Sequence, residues 1–181
     1  MRTWRETLDA AARRGAGAAV ARTGLGFLDP LPPGAIISGF APLPGEFPLW
    51  PLLRRLGRQG ATLALPVMQG KDRPLLFRAW KAGDAMDRGV WGIAEPKPDK
   101  PALTPTVLIV PLLAFDAQGW RLGYGGGFYD RTLRELRSNT SIIAVGIAHD
   151  AQAVDAVPHL DYDERVDWVL TPSGPLRCVS A

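Results

Sequence analysis

The chain holds a single cysteine, Cys178, and two histidines, His149 and His159, among 181 residues. One thiol builds neither a disulfide framework nor a cysteine metal site, so a reducing compartment, the cytoplasm, is the expected setting. Two histidines without a third ligand pattern argue against zinc and read as solvated or loosely paired side chains. No apolar run approaches the roughly 20 residues that a membrane span needs. The N-terminal stretch 1–15 mixes Glu6 and Asp9 among its arginines and does not lead into an apolar signal core, so no membrane or export step is expected. An excess of one charge is lacking too. The 21 basic and 18 acidic residues leave a net +3, too small and scattered for a nucleic-acid binder yet suited to anionic small molecules. Repeats and low-complexity tracts are absent, and the 17 prolines and 20 glycines fall between apolar runs and not in a linker. With 46% hydrophobic residues, the expectation is one domain over residues 1–181 built on one core.

What is present is an alternation of periods. Residues 4–22 are alanine-rich with arginines three to four apart, which predicts a helix weakened at Gly15 and Gly17. Residues 48–60 place Leu49, Leu52, Leu53 and Leu56 at helical spacing before a glycine stop, and residues 129–138 alternate apolar and charged residues at the same spacing. Apolar runs bounded by glycine and proline predict strands over 35–40, 61–67, 74–80, 105–116, 141–149 and 165–172, with 88–96 a turn-rich segment. Near-continuous apolar strands alternating with helices predict an α/β fold: three layers, a mostly parallel central sheet with helices on both faces, Rossmann-like. In such a sheet, ligands collect beyond the carboxyl ends of the strands.

The stretch RLGYGGGFYD, residues 121–130, stands in that position. Glycine raises the entropy cost of ordering a loop, so Gly123, Gly125, Gly126 and Gly127 persist together where backbone must be approached closely. Amides in such a turn can face phosphate oxygens, and Arg121 and Arg131 flank it with positive charge. The spacing matches neither a Walker A loop nor a dinucleotide fingerprint. A tight corner without a ligand is the competing reading. Asp130, just before a helical pattern, reads equally as an N-cap. Asp167, inside an apolar run, calls for a metal or an arginine partner. Phe128 and Tyr129 read also as core aromatics, and Glu46 as a carboxylate at a helix start. Trp80 and Trp91 lie in a segment that could cover a substrate or simply pack.

Residues 110–133 closely resemble the signature of the 5-formyltetrahydrofolate cyclo-ligase family. GIAEP at 92–96, VGIAHDAQ at 145–152, Val157-Pro158 and the acidic stretch from Asp163 to Asp167 follow in that family's order. The resemblance runs from about residue 35 to 172. It implies a fold like that of the isomerase/CoA-transferase-like superfamily, and ATP-dependent closure of 5-formyltetrahydrofolate to 5,10-methenyltetrahydrofolate with Mg2+. The partners it implies are small molecules alone, on a monomer or weak homodimer. Carried over residue by residue, it implies ATP phosphates on Arg121, Leu122, Gly123, Tyr124, Gly125, Gly126, Gly127, Phe128 and Tyr129, with Arg121, Tyr124 and Asp130 acting in catalysis. It implies folate against Leu43, Glu46 and the turn from Tyr124 to Phe128, and magnesium on Asp130 and Asp167. The family's second acidic position beside Glu46 is Pro48 here. Its N-terminal lysine and arginine, four apart, are replaced by Arg2 and Arg5, three apart. That departure leaves a second reading, a diverged relative that binds a folate or nucleotide without turnover.

Overall fold

The computed structural model describes residues 2–31 and 33–179. In chain order they form α1 (Arg2–Thr7), α2 (Ala10–Thr23), β1 (Ile36–Ser38), α3 (Trp50–Arg58), β2 (Thr62–Met68), β3 (Leu75–Ala79), β4 (Met86–Arg88), β5 (Ala94–Pro96) and β6 (Val107–Pro111). Then follow β7 (Ala114–Phe115), β8 (Arg121–Leu122), α4 (Phe128–Asn139), β9 (Ile143–Ile147), β10 (Trp168–Thr171) and β11 (Gly174–Arg177). The central sheet has seven strands in the order β11-β10-β9-β6-β1-β2-β3. The five inner strands run parallel, and β3 and β11 close the edges antiparallel.

Strand alternation decides which layer each residue joins. Val107 and Ile109 of β6, Leu63 and Leu65 of β2, and Val145 and Ile147 of β9 face the core shared with α2 and α3. Leu108 and Val110, Ala64 and Ala144 face the opposite core, where Leu133 of α4 packs. All four of these β6 residues are fully buried, each contributing roughly 1.5–3 kcal/mol relative to exposure. The sheet is therefore covered on both faces, as its unbroken apolar strands require.

Three expectations are corrected. The helix expected over 4–22 is two, because the Asp9 side chain accepts the Ala12 N–H at 2.6 Å and caps α2. Gly15 and Gly17 lie inside α2, where Gly17 lets the helix approach Pro48; a Cβ there would sit 2.8 Å from the Pro48 carbonyl oxygen. The run 105–116 is β6 followed by β7, which turns out of the sheet to pair with β8. Segment 88–96 is the β4–β5 hairpin, with Trp91 at φ 57 in its tip.

From β1 the chain goes to β2 on one side and later returns through β6 on the other. The connections diverge at the carboxyl ends of β1 and β6, which opens a crevice there.

Candidate active site

A cleft of about 990 Å³ occupies that crevice. Its walls are the segment after β1 from Phe40 to Glu46, the end of β2, the tip of the β4–β5 hairpin, the turn from Arg121 to Asp130, and the loop from Pro158 to Asp163. Every residue from Arg121 to Asp130 lines it, so the glycine turn faces a cavity and is not a closed corner.

The β7–β8 hairpin delivers this turn: the Leu113 N–H donates to the Leu122 carbonyl at 2.7 Å, and the chain leaves β8 directly into Gly123. Gly125 (φ 86) and Gly127 (φ 61) hold left-handed backbone that other residues resist. Gly127 is the N-cap of α4 and brings no side chain, so the helix presents its first-turn amides bare. Asp130 is thus inside the helix and is not its cap. Its Oδ1 accepts from Arg121 at 2.8 Å and from the Glu164 N–H at 3.1 Å, while Arg121 also donates to the Glu164 carbonyl. A carboxylate and a guanidinium are fixed side by side at the helix start. Arg131 folds back over the Phe128 ring and donates to the Gly126 carbonyl at 2.7 Å, pinning the turn from behind.

The segment after β1 contributes Glu46 to the same cleft. Its Oε2 accepts the Leu43 N–H at 2.7 Å, which folds residues 43–46 into a turn well ahead of α3; Glu46 is therefore not a helix-start carboxylate. Burial raises its pKa, and the Leu43 amide, Tyr124 and Arg5 draw it back without cancelling that. Arg5 reaches in from α1, 4% exposed, donating to the Leu112 carbonyl at 3.4 Å and to the Tyr124 hydroxyl. Its Nε is buried with no partner. The Tyr129 hydroxyl is also buried and unpaired, and burial together with Glu46 raises its pKa. Arg2 begins α1, and its side chain lies outside the described residues.

The two aspartates expected to share magnesium do not share a cavity. Asp130 lines the cleft, whereas Asp167 lines a separate hollow of about 480 Å³ with Arg137 and Cys178. Asp167 stands at the amino ends of the strands, accepting the Ala144 N–H at 2.7 Å and facing Arg137 at 3.3 Å. An arginine and a backbone amide partner this carboxylate. Among the described residues no group of three acidic, cysteine or histidine side chains is arranged for a metal ion.

Of the two tryptophans, Trp80 is 8% exposed and packs on Trp50, while Trp91 is 70% exposed and meets the Phe128 ring edge-on at the cleft. His149 is buried between Trp4 and Phe47, and burial with nearby Arg5 lowers its pKa, so it is a packing group. His159 stacks on Trp120 at 3.7 Å. Cleft residues missed in the sequence include Glu95, whose buried carboxylate accepts the Met68 N–H at 3.1 Å, and the rim residues Leu160 and Tyr162. An acid inside the quoted GIAEP was a usable signal for Glu95. Nothing in the local pattern marked the rim.

The sequence profile of the 5-formyltetrahydrofolate cyclo-ligase family matches residues 17–172. The Escherichia coli (strain K12) 5-formyltetrahydrofolate cyclo-ligase is 38% identical over 142 residues, covering 76% of this chain and 78% of that protein. The Mycolicibacterium smegmatis protein of the same name is 35% identical over 147 residues, covering 77% and 74%. The structure of Aquifex aeolicus 5,10-methenyltetrahydrofolate synthetase is 26% identical and superposes with a TM-score of 0.77 over 99% of this chain and 89% of that one. At 19% identity, the Mycoplasma pneumoniae 5,10-methenyltetrahydrofolate synthetase shares the fold, with a TM-score of 0.71 over 94% and 93%. The chain belongs to the 5-formyltetrahydrofolate cyclo-ligase family.

Proposed function

We propose that this protein, acting as one domain, uses ATP to close 5-formyltetrahydrofolate to 5,10-methenyltetrahydrofolate, releasing ADP and phosphate. The γ-phosphoryl group moves to the formyl oxygen as ADP departs; N10 then attacks the activated carbon, gives up its proton to solvent, and the C–O bond breaks as phosphate leaves. Both steps ask for positioning and charge stabilisation more than for covalent work by side chains. The observation that carries the reading is that the bare α4 amides beside Arg121 and the Glu46 carboxylate line one and the same cleft.

In this reading the amides of Gly125 to Tyr129 and the fixed Arg121 guanidinium hold the phosphates. Glu46 accepts from the amide and amine edge of the pterin, with Leu43 as a wall. Tyr124 stands between the two halves. Its pKa is raised, chiefly by burial, so it stays a neutral phenol that accepts from Arg5 and bonds to Glu46, linking the glycine turn to the folate-facing acid. For magnesium, Asp130 fits and Asp167 does not: Asp130 adjoins the phosphate-facing turn with one oxygen not engaged by Arg121 or Glu164. Mg2+ prefers few protein carboxylates together with phosphate oxygens and water, and would supply charge neutralisation there. The reading without turnover was favoured by the missing basic clamp, and Arg5 in the cleft removes that ground.

The test is the absorbance of the methenyl product formed by purified protein from 5-formyltetrahydrofolate, ATP and Mg2+. Appearance that stops without ATP or with Asp130→Asn supports the reading. Tight folate and ADP binding with no product overturns it in favour of a binding protein.

A further inference from the structure

The reaction proposed for the cleft leaves a second cavity without a role. It is the hollow of about 480 Å³ that holds Asp167, a volume within the range of small-molecule sites. Of the residues lining it, only Asp163 also lines the cleft. Three arginines border the hollow: Arg137 near the end of α4, Arg165 ahead of β10 and Arg177 at the end of β11. Trp120, Trp168 and Cys178 stand among them.

The charges of the hollow divide into those spent on each other and those left over. Arg137 donates to Glu164 at 2.8 Å, to Asp167 at 3.3 Å and to the Arg165 carbonyl at 2.9 Å, and Arg134 takes the other Glu164 oxygen at 3.3 Å. Asp167 accepts from the Ala144 N–H as well, and Asp163 turns its Oδ2 to the Leu160 N–H at 2.8 Å. Arg165 and Arg177 are held differently. Their guanidinium carbons lie over the Trp120 and Trp168 rings, 5.3 and 5.8 Å from the ring centres. Among the described residues, neither guanidinium has a hydrogen bond or an ion pair. The rings beneath them are themselves fixed, Trp120 by the His159 ring stacked at 3.7 Å and Trp168 by Phe27 at 5.0 Å. A guanidinium resting on an aromatic ring keeps its N–H donors available and has less conformational freedom to lose when it grips a ligand. With the neighbouring acids engaged, these two cations are in excess in the hollow.

We propose that Arg165 and Arg177 form a second anion site, which takes a phosphate group, either free or carried by a small organic molecule. Guanidinium forks bind phosphate oxygens in pairs, and a dianion offers enough oxygens for both. The site goes beyond the reaction proposed for the cleft and does not rest on it, because neither arginine lines the cleft.

The experiment titrates inorganic phosphate and glycerol phosphate into protein saturated with a non-hydrolysable ATP analogue, with chloride at equal ionic strength as the control. Wild type is compared with Arg165→Ser, Arg177→Ser and Arg177→Lys by calorimetry. Arg177 is exposed, so its variants should melt with wild type and keep the test clear of folding. Each serine variant should weaken phosphate binding roughly tenfold, the scale of losing charge-assisted hydrogen bonds, and Arg177→Lys should fall between. Cys178, the single thiol of the chain, reports on the hollow directly. Phosphate should slow its alkylation in wild type, by covering it and by placing negative charge beside it, and should not do so in the serine variants. Phosphate binding that disappears once the analogue is bound, or that is undiminished in both serine variants, overturns the site. So does Cys178 alkylation that responds equally to phosphate and chloride, the outcome if the arginines merely cover the tryptophans. Tighter binding of glycerol phosphate than of phosphate assigns the site to phosphorylated small molecules, and equal or weaker binding assigns it to the free anion. If no methenyl product forms while phosphate still protects Cys178 through Arg165 and Arg177, the reaction fails and the second site stands.

Discussion

Arg5 donates a hydrogen bond to the Tyr124 hydroxyl across 119 residues of sequence, joining the first helix to the glycine turn. The same guanidinium reaches the Leu112 carbonyl beyond the end of β6, so it ties α1 to two points on the segment that leaves β6. Its partnerless Nε adds an unspent donor beside the phosphate-facing turn. Arg5→Ala should raise KM for ATP at least tenfold and lower thermal stability by about 1–3 kcal/mol, the scale of losing hydrogen bonds from a buried charge. Arg5→Lys should recover only part of the affinity, since one ammonium cannot reproduce the fork. Unchanged KM for ATP in Arg5→Ala would reduce Arg5 to a packing residue.

Glu46 gives the reaction an acid limb. Burial holds its carboxyl above the ordinary value, so the folded protein binds that proton more tightly than the unfolded chain does. Its contribution to stability is full below the ordinary carboxyl range and is lost as pH rises through the raised value. Binding runs the other way, because the ionised form accepts from the pterin. kcat/KM for folate should therefore fall on acidification at a higher pH than an unperturbed glutamate would give. Glu46→Gln should lose that limb, reduce kcat/KM roughly 10- to 100-fold, and melt no lower than wild type at neutral pH. A wild-type limb that survives in Glu46→Gln assigns it to another group.

The glycine turn separates backbone need from ligand need. An added Cβ at Gly123 meets nothing within 4 Å, and the residue needs no left-handed backbone. Gly123→Ala should leave stability within about 0.5 kcal/mol, so any loss of ADP affinity reports the approach of phosphate. Gly127→Ala is different: at φ 61 its Cβ would stand 2.8 Å from an Arg131 nitrogen. Strain of about 1 kcal/mol and displacement of Arg131 should lower melting as well as nucleotide affinity. Equal melting of the two variants would remove the case for a strained N-cap.

The sequence was most legible where one physical term dominates. The apolar runs gave β1, β2, β6, β9 and β10, because a strand buried on both faces has no polar alternation to obscure it. The glycine turn was legible as a stretch whose backbone must stay accessible, and it lines the cleft. The hairpin strands β7 and β8 and the edge strand β11 were not, because they are set by pairing partners that local pattern cannot name. The same holds for Arg5, whose place in the cleft comes from where distant segments bring it. Asp167 was legible only as a carboxylate needing a partner, and the structure supplies Arg137.

Asp130 and Asp167 should therefore part company in experiment. Asp130→Asn keeps the side chain's shape but loses the charge that fixes Arg121 and faces the phosphate turn. Turnover should drop at least 100-fold, with a raised Mg2+ requirement and little change in folate binding. Asp167→Asn removes a half-exposed ion pair and weakens one bond to the Ala144 amide, for about 1 kcal/mol of stability. Its kcat and its Mg2+ titration should match wild type. Because Asp167 accepts from Ala144 at the start of β9 and faces Arg137 of α4, the lost stability should appear as a lower melting temperature, equal with and without ADP saturation. A shifted Mg2+ titration in Asp167→Asn would sink the separation and restore a shared metal site that draws the two carboxylates together when nucleotide binds.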